Sequence, residues 1–189
     1  MTAAVQDLHR RAAEDFGARV HAVGDDQWHL PTPCSDWDVR ELVDHLVGEM
    51  RWMPPLLDGR TIAEVGDRLE GDQLGGDPKA AWDDAAKAAV EAVGVPGAME
   101  RTVHLSFGDL PGAEYTRQLL ADLLVHGWDL ARAIGADERL DPELVEACAG
   151  WFAPMEEAYR GAGAIGPRAE VAPDADAQTR LLAMFGRSA

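Results

Sequence analysis

The feature that most constrains the fold is an apolar stripe in the stretch VRELVDHLVGEM. Its members recur every three or four residues, at Val39, Leu42, Val43, Leu46, Val47 and Met50. This spacing keeps side chains on one face of an α-helix. Such a helix must cover its apolar face with other elements of the chain. The rest of the sequence has to supply those elements.

Other stretches of the chain have the same helical spacing, and few alternate as strands do. The patterns predict a first helix of about 20 residues that includes Val5–Val20, further helices over about 78–93, 113–134 and 142–159, and a short closing helix in DAQTRLLAMFGR. Asp77 with Pro78 and Asp141 with Pro142 are expected to begin two of these helices, and Gly135 to end another. Ser35 with Asp38 is expected to cap the second helix, and Pro54 and Pro55 to end it. The stretch RTVHLSFGDLPG predicts a short extended segment that ends in a turn at 109–112.

These elements predict an all-α fold, namely an antiparallel four-helix bundle with an extra C-terminal helix and short connecting segments. A chain of 189 residues is long enough for one domain with its own core. We therefore expect a single domain over residues 1–189, with the core bundle over about 1–160 and a C-terminal extension over 161–189.

Composition excludes several classes of partner. The chain has 34 acidic and 17 basic residues, a net charge of −17, which argues against nucleic acid and against anionic membrane surfaces. No signal peptide or membrane-spanning stretch is recognisable. The only two cysteines, Cys34 and Cys148, lie far apart and form no CxxC motif, so they indicate no cysteine zinc site. We expect a soluble cytoplasmic protein.

The stretch ADLLVHGWDLARA places a histidine in an apolar helical face. Asp122 precedes His126 by four residues, so the two side chains stack on one face and can chelate one ion. His45, on the second helix, is the candidate third ligand, as helical bundles place metal ligands on facing helices. Glu49 and Asp129, one turn from the histidines, are candidate supporting carboxylates around these ligands.

Simpler interpretations of the same residues stay open. His126 fits equally well as a core imidazole that is hydrogen-bonded to Asp122 or Asp129, and Glu49 as a solvated carboxylate. Cys34 lies just before a helix start, where the helix dipole favours a thiolate nucleophile, but it also fits as a small packing residue. Cys34, Trp37 and Trp128 are the candidate pocket residues because each lies near a proposed ligand or its helix in the sequence.

Three blocks of the sequence also carry a family resemblance. PTPCSDWDVRELVDHLVGEMRW, LLADLLVHGWDLARAIG and DADAQTRLLAMFGR resemble an actinobacterial metal-binding family of the DinB-like superfamily, close to the N-terminal domain of mycothiol-dependent maleylpyruvate isomerase. The resemblance implies a four-helix bundle with a divalent metal ion on His45, Asp122 and His126. Relatives nearest the isomerase have Glu at the position of Asp122. The isomerase's further C-terminal domain is not expected within 189 residues.

Two imidazoles and one carboxylate leave open positions on a bound metal ion. Such a site suits catalytic zinc first, and nickel, iron or manganese also fit. The resemblance implies mycothiol as a co-substrate, so we expect a metal-dependent thiol transferase or isomerase whose partners are a small-molecule thiol and an electrophile. A metal-dependent hydrolase, a non-enzymatic metal-binding bundle and a bundle without metal are the alternatives. Exposed bundle faces favour a homodimer.

Overall fold

The computed structural model describes residues 4–189, and most of them are helical. The chain divides into two compact units, the first ending at Asp137 and the second beginning at Glu138. The expectation of a predominantly helical chain is confirmed, with one two-stranded antiparallel sheet as the only sheet within residues 4–189. No helix in that range is long and apolar enough to cross a membrane. The single domain over residues 1–189 stays a prediction.

The first unit contains four long helices and the small sheet. Its elements are α1 (Val5–Ala22), α2 (Val39–Leu57), α3 (Ile62–Val65), a 3₁₀ turn (Gly66–Leu69), α4 (Pro78–Val93), β1 (Thr102–Leu105), β2 (Gly108–Pro111) and α5 (Gly112–Ile134). The second unit contains α6 (Pro142–Phe152), α7 (Glu156–Gly161) and α8 (Ala177–Met184). The predicted bounds of α1, α4 and α5 agree with these to within about two residues, the usual uncertainty of helix ends.

The long helices of the first unit cover one another's apolar faces. Helix α1 packs against α4 and α5, and α2 packs against the same two helices. The apolar stripe of α2 is the centre of this packing, because all six of its side chains are 0% exposed. Each fully buried Val or Leu of this kind contributes about 1.5–3 kcal/mol. The sequence spacing therefore identified the buried face of α2 correctly.

Both predicted ends of α2 need correction. Asp38, and not Ser35, is the N-cap: its carboxylate accepts from the Glu41 backbone N–H, and the Glu41 side chain accepts from the Asp38 N–H. Glu reaches back to the cap better than Asp does, and this reciprocal pair sets the start of the helix. At the other end the helix continues through Pro54 and Pro55 to Leu57.

The continuation through the two prolines has a tertiary cause. A proline within a helix removes one backbone hydrogen bond and crowds the preceding turn, which costs free energy. Met53, Leu56 and Leu57 are nevertheless buried in the core. The Asp58 N–H donates to the Pro54 carbonyl over 3.0 Å. The burial of these side chains favours one further helical turn over the predicted stop.

The segment before α5 is a β-hairpin with its turn at Ser106–Phe107, and not a strand that ends in a turn at 109–112. Gly112 then begins α5 directly beside the backbone of Ala98. A Cβ at Gly112 would lie 2.0 Å from the Ala98 carbonyl oxygen. Helix α5 ends at Gly135, which adopts the left-handed conformation with φ 72°. Glycine is the residue that takes this conformation with least strain.

The predicted helix over 142–159 is two helices in the structure. Asp141 caps α6 and Pro142 is its first residue, as expected. The helix ends at Phe152, and α7 begins at Glu156. Pro154 lies between them and has no backbone N–H to donate to a carbonyl one turn earlier. The break is therefore a local proline effect, which apolar periodicity by itself does not reveal.

Candidate metal centre

Helices α2 and α5 bring together the three side chains that the sequence proposed as metal ligands. One nitrogen each of His45 and His126 and one oxygen of Asp122 all lie within 4.8 Å of one another. The Nε2 atom of His45 is 3.2 Å from Asp122 Oδ2, and the Nε2 atom of His126 is 3.7 Å from Asp122 Oδ1. His45 and Asp122 are partly exposed, whereas His126 is buried.

A second carboxylate fixes the orientation of His126. Asp129 is 0% exposed, and its Oδ2 atom lies 3.0 Å from His126 Nδ1. A buried carboxylate here accepts the Nδ1 proton, which leaves the Nε2 lone pair free on the side of Asp122. The predicted supporting position of Asp129 agrees with this hydrogen bond. The imidazole is thus held in the tautomer that a metal ligand needs.

The pKa of His45 reflects two opposed effects. Burial lowers this pKa, but the hydrogen bond to Asp122 and the charges of Asp122, Glu49 and Asp44 outweigh it, so the net shift is upward. These carboxylates favour a positive charge at the position of the ring. The same electrostatic field favours a cation bound beside the ring.

Glu49 and Tyr115 border the cluster. The pKa of Glu49 is raised to about 6, first by burial and then by the charge of Asp122, while His45 opposes the shift. Burial also raises the pKa of Tyr115, again with contributions from Glu49 and Asp122. Glu49 is one of the supporting residues predicted from the sequence, whereas Tyr115 is not. Tyr115 precedes Asp122 by two helical turns, so its place on the same face of α5 was available as a signal.

Trp37 lies against both imidazole rings. Its ring centroid is 4.6 Å from that of His45 and 5.5 Å from that of His126. The loop that carries it is fixed by Thr32, whose hydroxyl contacts the backbone carbonyls of Cys34 and Trp37 at 3.0 and 2.8 Å. The indole therefore covers one side of the candidate metal ligands.

An open cleft adjoins His45. It has a volume of about 400 Å³ and is lined by Trp37, Arg40, Glu41, Asp44, His45 and Asp72. Cys34 is half-buried in the same loop as Trp37. Trp128 is almost fully buried, with the Arg132 guanidinium 4.3 Å from the ring centroid. Of the three predicted pocket residues, Trp37 thus lines a cleft at the cluster, and the roles of Cys34 and Trp128 stay predictions.

The other histidines lie in different surroundings. His21 and His29 are exposed and His104 is half-buried, and each lies within 3 Å of one aspartate, at Asp83, Asp38 and Asp109 respectively. His9 is 0% exposed. Neither of its ring nitrogens has a hydrogen-bond partner among the described residues.

The chemistry of the cluster matches a known class of metal site. Two histidines and one carboxylate form the protein ligand set of several catalytic zinc sites, which keep a further position open. His126 is oriented by a carboxylate behind it, as metal-binding histidines usually are. The residues present therefore fit a divalent metal ion.

The three candidate metal ligands lie in a part of the chain that matches a known protein family. The sequence model of the mycothiol maleylpyruvate isomerase N-terminal domain family matches residues 9–131. Two uncharacterised proteins, from two strains of Mycobacterium tuberculosis, are each 36% identical over 156 residues, which cover 82% of this chain and 81% of theirs. No solved structure gives a significant match.

Proposed function

Because the chain belongs to the mycothiol maleylpyruvate isomerase N-terminal domain family, we propose that it is a metal-dependent enzyme that activates a small thiol. His45, Asp122 and His126 hold a divalent metal ion, with zinc as the first candidate. The thiol, of which mycothiol is the example in the family's description, is transferred or added to a small electrophile. The enzyme acts in the cytoplasm as a homodimer.

The fold that we propose for this function is the antiparallel, DinB-like four-helix bundle. Its helices are α1, α2, α4 and α5, and its metal site lies between α2 and α5. The pairwise packing of α1 and α2 on α4 and α5 supports this arrangement.

One observation carries the proposal. Three potential ligand atoms from α2 and α5 lie within 4.8 Å of one another, although His45 is 77 residues from Asp122 in the sequence. A lone core histidine needs one hydrogen-bond partner, and Asp129 already supplies it for His126. Asp122 and His45 also lie near the other ring nitrogen of His126. The hydrogen bonding of a core histidine does not require them there, so their position favours a cation site.

The chain's own residues supply orientation and access. A divalent ion at this site lowers the pKa of a bound thiol, so that the reactive thiolate is present at neutral pH. Asp129 holds the proton on Nδ1 of His126. Trp37 covers one side of the imidazoles and limits water there. The cleft beside His45 admits the thiol and the electrophile, and Arg40 and Asp44 form part of its polar wall.

Metal content is the first test. Untagged protein is purified and its metals are measured by elemental analysis, together with His45→Ala, His126→Ala and the control His21→Ala, which changes an exposed histidine. We expect close to one divalent ion per chain in the wild type and the control, and background content in the two ligand variants. Background metal in all four proteins, also after reconstitution with zinc, contradicts the proposal.

Thiol binding is the second test. Cobalt-substituted protein is titrated with mycothiol while its visible spectrum is recorded. A change in the cobalt absorption bands on thiol addition is expected if the sulfur enters the metal's open position. A protein that binds one cobalt ion but gives no spectral change with the thiol has a metal site without the proposed thiol chemistry.

A further inference from the structure

A second cavity lies at the C-terminal end of α2, and it contains none of the candidate metal ligands. Its volume is about 450 Å³, within the range of small-molecule sites. Its apolar lining consists of Pro54, Pro55, Leu57, Ala92 and Val95, and its polar lining consists of Asp58, Arg60 and Arg101. An apolar wall with a few convergent charged groups is the usual composition of a ligand site.

The two arginines converge on a single carboxylate without binding it tightly. The Nε atom of Arg60 is 3.9 Å from Asp58 Oδ2, and the Nη1 atom of Arg101 is 3.8 Å from Asp58 Oδ1. Both distances are longer than a hydrogen bond. The two guanidinium groups therefore approach different oxygens of one carboxylate, and Asp58, at 70% exposed, holds that position only loosely.

One hydrogen bond holds Arg101 in place, and the rest of its guanidinium group can bind a ligand. Its Nη1 atom donates to the Leu57 carbonyl over 2.6 Å, which satisfies the end of α2 and fixes the guanidinium. Among the residues that the structure describes, the long contact with Asp58 is the one ion pair of Arg60, and the charge of Arg60 also helps to lower the pKa of Glu64. A preorganised arginine loses little side-chain entropy when it binds a planar anion.

The apolar part of the cavity is accessible to a ligand. Val95 is 47% exposed, an unusual position for a branched aliphatic side chain in this protein. The rings of Pro54 and Pro55 belong to the final turn of α2 and give a rigid wall. Two arginines line one apolar cavity in a chain whose net charge is −17. Such a cavity favours an anion that has an apolar body.

We propose that this cavity binds a small amphipathic carboxylate, whose carboxylate takes the position of the Asp58 side chain between Arg60 and Arg101. The apolar chain of the ligand lies along Pro54, Pro55 and Val95. The site does not depend on the proposed metal chemistry, since none of its residues belongs to the cluster around His126.

The test uses octanoate and its neutral analogue octanamide in calorimetric titrations of the full-length protein. We expect octanoate to bind at least about tenfold more tightly than octanamide, because a charge-assisted hydrogen bond is stronger than a neutral one. Arg60→Gln is expected to remove this preference, whereas Arg10→Gln, which changes an exposed arginine of α1, retains it. Equal binding of the two probes, or no octanoate binding, overturns the proposal.

Asp58→Asn provides a test in the opposite direction. Removal of the competing carboxylate is expected to tighten octanoate binding several-fold and to leave octanamide binding unchanged. Backbone amide shifts in the NMR spectrum are expected to change with octanoate at Ala92 and Val95. Weaker octanoate binding by Asp58→Asn, or shifts confined to other residues, contradicts the proposed position of the ligand.

Discussion

At the residue scale, Asp129 determines the orientation and the basicity of the neighbouring His126 imidazole. It is fully buried, and its carboxylate contacts the Nδ1 atom of His126. The negative charge makes the Nε2 lone pair of that imidazole more basic, and the hydrogen bond prevents rotation of the ring. The proposed role of His126 as a metal ligand therefore depends on a residue that does not itself face Asp122.

Asp129→Asn is expected to weaken metal binding by about 10–100-fold, because an amide oxygen can accept the Nδ1 proton but supplies no charge. Competition with a zinc chelator measures the change. Asp84→Asn, which alters an exposed carboxylate on α4, is the matched control. Equal zinc affinity in Asp129→Asn and the wild type means that Asp129 has no effect on the metal ligand.

His9 is expected to make stability depend on pH. Burial lowers its pKa from 6.5 to about 4, so between these values the unfolded chain binds a proton that the folded chain does not. Above pH 6.5 His9 is neutral in both states and does not lower the free energy of unfolding. As the pH decreases from 6.5 toward 4, the free energy of unfolding falls. The full loss is about 3 kcal/mol.

The measurement for His9 is the free energy of unfolding in urea at several pH values, with a metal chelator present. His9→Leu keeps a similar volume and removes the titrating group. The variant is expected to lose less stability than the wild type as the pH falls from 6.5 to 4. Parallel pH profiles of the two proteins are the contrary result.

At the element scale, α2 depends on its reciprocal cap. The carboxylate of Asp38 and the side chain of Glu41 satisfy backbone N–H groups that have no partner within the helix. Ser35, the residue that the sequence suggested, is exposed and lies outside the helix. These two positions differ in their contacts and therefore give a matched comparison.

Asp38→Ala is expected to lower the free energy of unfolding by about 1 kcal/mol, the usual cost of a lost N-cap. Ser35→Ala is expected to change it by less than about 0.5 kcal/mol, as surface substitutions generally do. Urea denaturation followed by circular dichroism measures both values. A larger loss for Ser35→Ala than for Asp38→Ala is incompatible with the observed capping box.

At the scale of the whole molecule, charge is the dominant feature. The 34 acidic residues outnumber the 17 basic ones by 17. An excess of like charge destabilises the compact state through self-repulsion, and dissolved salt screens this repulsion. The family relationship and the proposed metal site do not alter this general effect.

The melting temperature is therefore expected to rise when sodium chloride is increased from about 10 mM to about 150 mM, over which the Debye length falls from about 30 Å to about 8 Å. Differential scanning calorimetry with a chelator in both buffers separates this effect from metal binding. A melting temperature that falls with salt indicates that attractive ion pairs outweigh the net repulsion.

The sequence by itself determined most local features of the chain. The spacing of apolar residues predicted α1, α4, α5 and the buried stripe of α2. Asp77 with Pro78, and Gly135, marked helix ends correctly, because caps and left-handed glycines act within one turn of the backbone. The spacing of Asp122 and His126 likewise followed from helix geometry alone.

Only the tertiary structure decided which distant groups meet. Helix packing brings His45 within 3.2 Å of Asp122 and sets the ring of Trp37 against both imidazoles. It also carries α2 past Pro54 and Pro55, because buried side chains beyond them offset the lost backbone bond. Periodicity reports which face of a helix is apolar. Which helix covers that face, and which polar groups meet there, depends on long-range packing that no local pattern contains.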